Sequence, residues 1–167
     1  WVTRNPYAEA MSHLSSVVRY PYGCVEQTSS STRPLLYVRS LLETVDPSLL
    51  QRGSIDEMVA AGVDRLMSMQ TPSGGFAYWP GGHHPSEWGT AYAVHLLLDA
   101  REAGFEVPAQ PLADAVEWLH EELGDHEASS VSGTLAYQHY VLAKAGRGLP
   151  AEAAAMLGEL PGRRKDA

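Results

Sequence analysis

One stretch limits the possible folds of this chain more than any other. From Ala91 to Leu98 the sequence is almost wholly apolar, inside a longer helical pattern running from Ser86 to Gly104. A helix that is apolar on every side has no face to offer water and must be enclosed by other elements. The next segment is the opposite case. Leu112, Val116, Leu119 and Leu123 line one face, Asp114, Glu117, His120 and Glu121 line the other, and Gly124 is the stop signal. A further helix from Ser130 to Ala145 is again apolar nearly all round, and a short one runs from Pro150 to about Leu160. Buried and amphipathic helices thus alternate, which predicts an inner and an outer layer.

Upstream, Asn5-Pro6 starts a helix over Ala8 to Val18, broken by Tyr20-Pro21-Tyr22-Gly23. Gln27 to Thr32 is polar and rich in hydroxyls. Pro34 opens an apolar helix to about Leu42. Ser54, with Glu57 three residues on, forms a capping box for a helix with the stripe Met58, Val59, Gly62, Val63, Leu66 and Met67. An aromatic, glycine-rich loop follows from Phe76 to His84. Strand patterns are nearly absent, so the expected class is all-α. Gly89-Thr90, His95, Leu98 and Gly104 recur as Gly133-Thr134, His139, Leu142 and Gly148 at an offset of 44, the length of one helical hairpin in a stacked array.

Composition removes several function classes. With 167 residues and 44% hydrophobic content the chain can build a core, and disorder is excluded as its main state. The net charge is −8 and no basic stripe precedes Arg163-Arg164-Lys165, which argues against nucleic acid as a partner. No apolar run approaches the ~18 residues of a membrane span. The single cysteine, Cys24, excludes an internal disulfide framework and a multi-cysteine zinc site. The opening Trp1-Val2-Thr3-Arg4 lacks a Met and a targeting signal, and is read as the start of a piece of something longer.

The chemistry lies in Tyr20-Pro21-Tyr22-Gly23-Cys24-Val25-Glu26-Gln27-Thr28-Ser29-Ser30. Cys24 and Gln27 are three apart, so one turn of chain brings the sulfur and the side-chain carboxamide together. Attack of the thiol on the amide carbon expels ammonia and leaves an internal thioester. Gln is required because an ionised Glu repels the nucleophile and lacks that leaving group. Gly23 fits a point where the backbone must turn tightly. The thioester is an activated acyl group whose leaving thiolate is far better than an amide nitrogen. A nearby amine or hydroxyl takes the acyl group and becomes covalently attached. Water must be kept off, and Tyr20 and Tyr22 flank the site as candidate shields.

These residues resemble the thioester signature of bacterial α2-macroglobulins, relatives of the animal α2-macroglobulins and complement thioester proteins, whose motif is Gly-Cys-Gly-Glu-Gln. The similarity continues through Met69-Gln70, Gly74-Gly75-Phe76, Tyr78-Trp79-Pro80, Trp88-Gly89-Thr90-Ala91-Tyr92-Ala93 and Val116-Glu117-Trp118-Leu119. It runs from about Asn5 to Gly148. The resemblance implies an α/α toroid of helical hairpins, similar to terpenoid cyclases. It also implies an endopeptidase inhibitor, not an enzyme, that uses its thioester once. A protease cuts a bait segment elsewhere, the protein rearranges, and a protease lysine attacks the exposed thioester. The implied parent is periplasmic or attached to the cell envelope, with a possible lipid anchor, linked to defence and to penicillin-binding and peptidoglycan-synthesis proteins. Its other domains are implied partners, and no cofactor is implied.

Within that pattern Cys24 and Gln27 are the thioester pair, Gly23 and Glu26 support the motif, and Tyr20 and Tyr22 are the proposed shield. Val25 replaces the Gly of the animal motif. Complement-like members use a loop histidine to direct transfer to hydroxyls. Here the corresponding loop, Gly124 to Ser132, looks shorter and offers only His126, which favours direct amine attack. The chain is read as a single domain over 1–167, the N-terminal part of a thioester domain and a partial ring, with 161–167 a flexible tail. A partial ring leaves apolar inner surface open to self-association or to another chain.

Other readings stand beside this one. One is a helical interaction module whose thioester residues stay uncyclised. Another is a terpenoid-cyclase-like toroid enzyme, which needs clustered Asp or a zinc set that the sequence does not display. Cys24 as a plain buried thiol, or as a hydrolase nucleophile, has less support from its neighbours. His83-His84 reads as a solvated loop pair rather than a metal site, His95 and His139 as core histidines, and Trp79 and Trp88 as filling between hairpins.

Overall fold

The computed structural model describes residues 20–38, 55–124 and 132–158. Six helices order the described chain: α1 (Val25–Thr32), α2 (Ile55–Met67), α3 (Glu87–Glu102), α4 (Ala109–Gly124), α5 (Gly133–Lys144) and α6 (Pro150–Gly158). Among the described residues extended pairing is limited to two isolated antiparallel bridges, Gln70 with Phe76 and Ala77 with Pro85. No described helix is long and apolar enough to cross a membrane.

α3 is the enclosed helix that its sequence demands: every residue from Ala93 to Ala100 is buried. Ser86 starts it, its hydroxyl accepting from the Gly89 amide at 3.1 Å. Around it stand α1, α2, α4 and α5. α1, α3 and α5 form one row, with α2 and α4 packed behind them, so the two-layer expectation holds for these elements. α4 buries Leu112, Ala115, Val116, Leu119 and Leu123 and leaves Asp114, Glu117 and Glu121 in water. The core joins Val63, Leu66, Phe76, Leu96, Leu97, Leu119 and Leu142 across these helices.

One feature adds to the sequence reading and two depart from it. The polar run at 27–32 is helical, as part of α1. It carries no apolar stripe, yet Thr28, Ser29 and Thr32 are buried. Two of its hydroxyls turn back on the helix itself: Thr32 Oγ1 donates to the Thr28 carbonyl at 2.8 Å and Ser31 Oγ to that of Gln27 at 2.8 Å. Small polar side chains here serve close packing. A Cβ on Gly62 would lie 2.7 Å from Thr32 Cγ2, and one on Gly89 2.7 Å from Val25 Cγ1, so α2 and α3 both approach α1 at glycines. Second, the repeat at offset 44 is out of step with the helix starts. Ser86 caps α3 three residues before Gly89, whereas Ser132 caps α5 one residue before Gly133. Third, Trp79 is exposed, and Trp118 fills space instead, its ring under Gly75. Trp88 does bridge two helices, stacking on Tyr92 of α3 and tilting onto Tyr137 of α5.

The expected helix at Ala8–Val18, the Ser54 cap and the 161–167 tail lie outside the described residues. So does all of the Pro34–Leu42 helix beyond residue 38; 35–38 is helical.

Candidate functional site

Cys24 sits at the N-cap of α1 in extended backbone, 5% exposed and unpaired. Its amide N–H donates to Gln27 Oε1 at 3.1 Å. The Cys24 side chain in turn faces the Gln27 backbone, so the pair closes a capping box with sulfur in the place of a serine oxygen. The spacing that brings thiol and carboxamide together is therefore also the spacing that starts the helix.

Gly23 is where the chain needs no side chain. Its φ is +106°, a region L residues rarely adopt. A Cβ built on it would lie 2.7 Å from Gln27 Cβ and 2.9 Å from Gln27 Cδ. The Gln27 side chain lies over the bare α-carbon. The Gly23 carbonyl is gripped from α2: Arg65 Nε and Nη2 donate to it at 3.0 and 2.8 Å. Replacing Arg65 by Met removes a charged two-point clamp that is only partly buried. The expected loss is about 1–2 kcal/mol of unfolding free energy, read by urea denaturation.

On the other side the 69–86 connection reaches the motif. Phe76 anchors it, fully buried, with its N–H donating to Thr90 Oγ1 at 2.8 Å. Two residues on, the Tyr78 carbonyl accepts from the Val25 N–H at 3.1 Å. The Tyr78 hydroxyl donates to Glu26 Oε2 at 2.5 Å. That bond to Glu26, helped by partial burial and by proximity to Cys24, pushes the phenol up to about 12. Tyr78 and Arg65 are the two site residues that the sequence reading missed. Tyr78 stood in a stretch read only as family resemblance, and Arg65 carries no local signal for contacting Gly23.

The remaining expected residues fall as follows. Glu26 is half-buried under the Tyr78 hydroxyl. Tyr20 and Tyr22 pack on each other, ring centroids 4.9 Å apart, and are 52% and 70% exposed. His126 lies outside the described residues. His83 and His84 are exposed on the loop, and among the described residues no group of three or more His, Cys, Asp or Glu is placed to hold a metal ion.

Behind the motif a polar network fastens the other end of α1. Arg33, its C-cap residue, donates through Nε to Asp99 Oδ2 at 2.7 Å. Lys144 reaches Asp99 Oδ1 at 3.0 Å. Arg33 Nη2 also faces His95 Nε2 at 2.8 Å, and His95 Nδ1 meets the Tyr137 hydroxyl at 2.7 Å. A guanidinium can only donate, so Nε2 accepts and the proton sits on Nδ1. Burial, reinforced by the Arg33 charge, holds His95 below its usual pKa, in keeping with that neutral form. His139 is buried too, but its Nδ1 has no hydrogen-bond partner.

The profile of the A-macroglobulin TED domain matches residues 3–139. The Alpha-2-macroglobulin of Escherichia coli (strain K12) is 34% identical over 124 residues, 71% of this chain and 7% of that protein. The Alpha-2-macroglobulin of Xylella fastidiosa (strain Temecula1) is 34% identical over 151 residues, 81% of this chain and 9% of that protein. The chain thus spans less than a tenth of these relatives. Among solved structures, trypsin-activated α2-macroglobulin from E. coli superposes with a TM-score of 0.68 at 29% identity, over 83% of this chain and 10% of that one. Salmonella α2-macroglobulin reacted with methylamine gives 0.69 at 28%, over 89% and 10%. The fold is accordingly the α/α toroid of that domain, and the chain belongs to the bacterial α2-macroglobulin family, matching its thioester domain.

Proposed function

We propose that Cys24 and Gln27 form an internal thioester, and that the parent protein uses it once to capture an attacking protease through a lysine amine. The observation that carries this reading is the Cys24 N–H held on Gln27 Oε1 at 3.1 Å above the bare Gly23. In cyclisation the Cys24 sulfur attacks the Gln27 carboxamide carbon. The C–S bond forms, the C–N bond breaks, and the thiol proton leaves with ammonia. Negative charge develops on Oε1 during the attack, and the Cys24 N–H is already aimed at that oxygen. In capture an amine attacks the same carbon, the C–S bond breaks, and the proton lost by nitrogen ends on sulfur. The same N–H serves again.

Two relatives support the amine step: one structure is of a trypsin-activated protein and another of a protein reacted with methylamine. Tyr20 and Tyr22 keep water off the bond together with neighbouring domains of the parent, which acts in the periplasm or cell envelope.

Intact mass of the full-length protein carrying this sequence tests the reading. The native form should be lighter by one ammonia and resist thiol alkylation. Methylamine should restore one alkylatable thiol with one amine added. Cys24→Ala should take up no methylamine and keep its helicity. A native protein at its full sequence mass, with Cys24 freely alkylated, would mean an uncyclised helical interaction module.

A further inference from the structure

The Gly23–Cys24 peptide is hydrogen-bonded at both ends. Its carbonyl accepts twice from Arg65 of α2, from Nε at 3.0 Å and from Nη2 at 2.8 Å. Its N–H, on the opposite edge of the same trans plane, donates to Gln27 Oε1 at 3.1 Å. A cation therefore sits at one end of a single peptide unit and the oxygen of the Gln27 carboxamide at the other. With Gly23 at φ +106°, the plane turns its carbonyl toward α2 and its N–H toward Gln27. Arg33 and Lys144, by contrast, are committed to Asp99 beyond the other end of α1.

On the thioester reading above, we infer that Arg65 is a positioning residue for acyl transfer, its guanidinium polarising the Gly23–Cys24 peptide so that the Cys24 N–H binds Oε1 more strongly as charge develops there. The peptide bond is a resonance hybrid. A guanidinium on its oxygen favours the form with a negative oxygen and a positive nitrogen, and the N–H becomes a better donor. When an amine attacks the Gln27 acyl carbon, a C–N bond forms and the carbonyl pair moves onto Oε1. The pair then returns, the C–S bond breaks, and sulfur takes up the proton that nitrogen sheds. Oε1 carries charge only between those two events, so a stronger N–H lowers the barrier and leaves the resting thioester little changed. At 3.1 Å the resting bond is an ordinary one to a neutral acceptor, and it shortens as that acceptor becomes charged. The grip on the carbonyl has two points, so the contact that polarises the peptide also keeps its N–H aimed at Oε1.

The test uses the full-length protein with methylamine in excess, the rate being the first-order appearance of alkylatable Cys24 thiol. Citrulline in place of Arg65, introduced by amber suppression, keeps the shape and both N–H donors and removes the charge alone. It should keep the urea midpoint and the ammonia deficit of the parent. An oxyanion-hole donor is worth about a hundredfold to a thousandfold, and the charge behind it supplies part of that, so the thiol should appear about tenfold more slowly. Arg65→Met, which loses the donors as well, should be slower still and less stable. A first-order rate constant does not depend on how much thioester a variant holds, so incomplete cyclisation does not obscure the comparison. A citrulline protein reacting at the rate of the parent would overturn the inference and leave Arg65 as a fastening for Gly23 alone. A parent that takes up no methylamine overturns the thioester reading, and this inference with it.

Discussion

Gly23→Ala is expected to bring methylamine capture down to the background of Cys24→Ala while leaving the helices in place. The added methyl meets two obstacles. Backbone at φ +106° is strained for any L side chain, and the Cβ falls 2.7 and 2.9 Å from Gln27 Cβ and Cδ. Each route of relief disrupts the site. Swinging Gln27 aside breaks the bond from the Cys24 N–H to Oε1. Rotating the Gly23 backbone withdraws its carbonyl from Arg65 and moves Cys24 with it. Either way the sulfur and the acyl carbon part. A misplacement of about 1 Å costs about a hundredfold where two groups must meet in a near-attack geometry. Gly81→Ala is the control. Gly81 also has a positive φ, +75°, but a Cβ there meets nothing within 4 Å. It should show backbone strain alone and full methylamine uptake. Native ammonia deficit in Gly23→Ala would defeat the argument.

The proposed Cys24–Gln27 pair could be picked out in the sequence because the pair is local. Cys24 and Gln27 share one helical turn, and Gly23 is adjacent, so their proximity follows from spacing alone. The enclosed helix α3 was legible for a related reason: a run with no polar face has few places to go. What could not be read were contacts across long separations. Arg65 reaches Gly23 from another helix, and Tyr78 reaches Glu26 from a loop. Nothing in their own neighbourhoods marks them. The helical state of 27–32 was hidden for a different reason. Periodicity detects apolar faces, whereas α1 buries Thr28, Ser29 and Thr32 and meets glycines of its neighbours, Gly62 at Thr32 and Gly89 at Val25. Small size, not apolarity, makes that interface close. Similarly, His95 reads only as a core histidine and Asp99 carries no reading, yet both are points at which α1 is tied down through Arg33.

Asp99→Asn should then be among the most damaging single changes away from Cys24. The carboxylate is 3% exposed and takes Arg33 on one oxygen and Lys144 on the other, joining α1, α3 and α5. Burial alone would raise its pKa, but the Lys144 ammonium and the Arg33 guanidinium outweigh burial and hold it below the ordinary value of 3.8. Removing the charge leaves two cations facing a neutral amide. Arg33 and Lys144 keep a third and a quarter of their exposure, so water softens the loss. The expected cost is about 3 kcal/mol at pH 7, the lower end for a broken buried pair. The sign with pH follows from the depressed pKa. The native state binds the Asp99 proton less readily than the unfolded chain, so its contribution is complete above about 3.8 and is lost as pH falls through the lower folded value. Urea unfolding of the parent and the variant at pH 7 and in the acid range should therefore show the gap between them narrowing as the pH drops below that value. An Asn variant as stable as the parent at pH 7, or a gap that widens in acid, would mean that the Arg33–Asp99–Lys144 contact does not hold α1 in place.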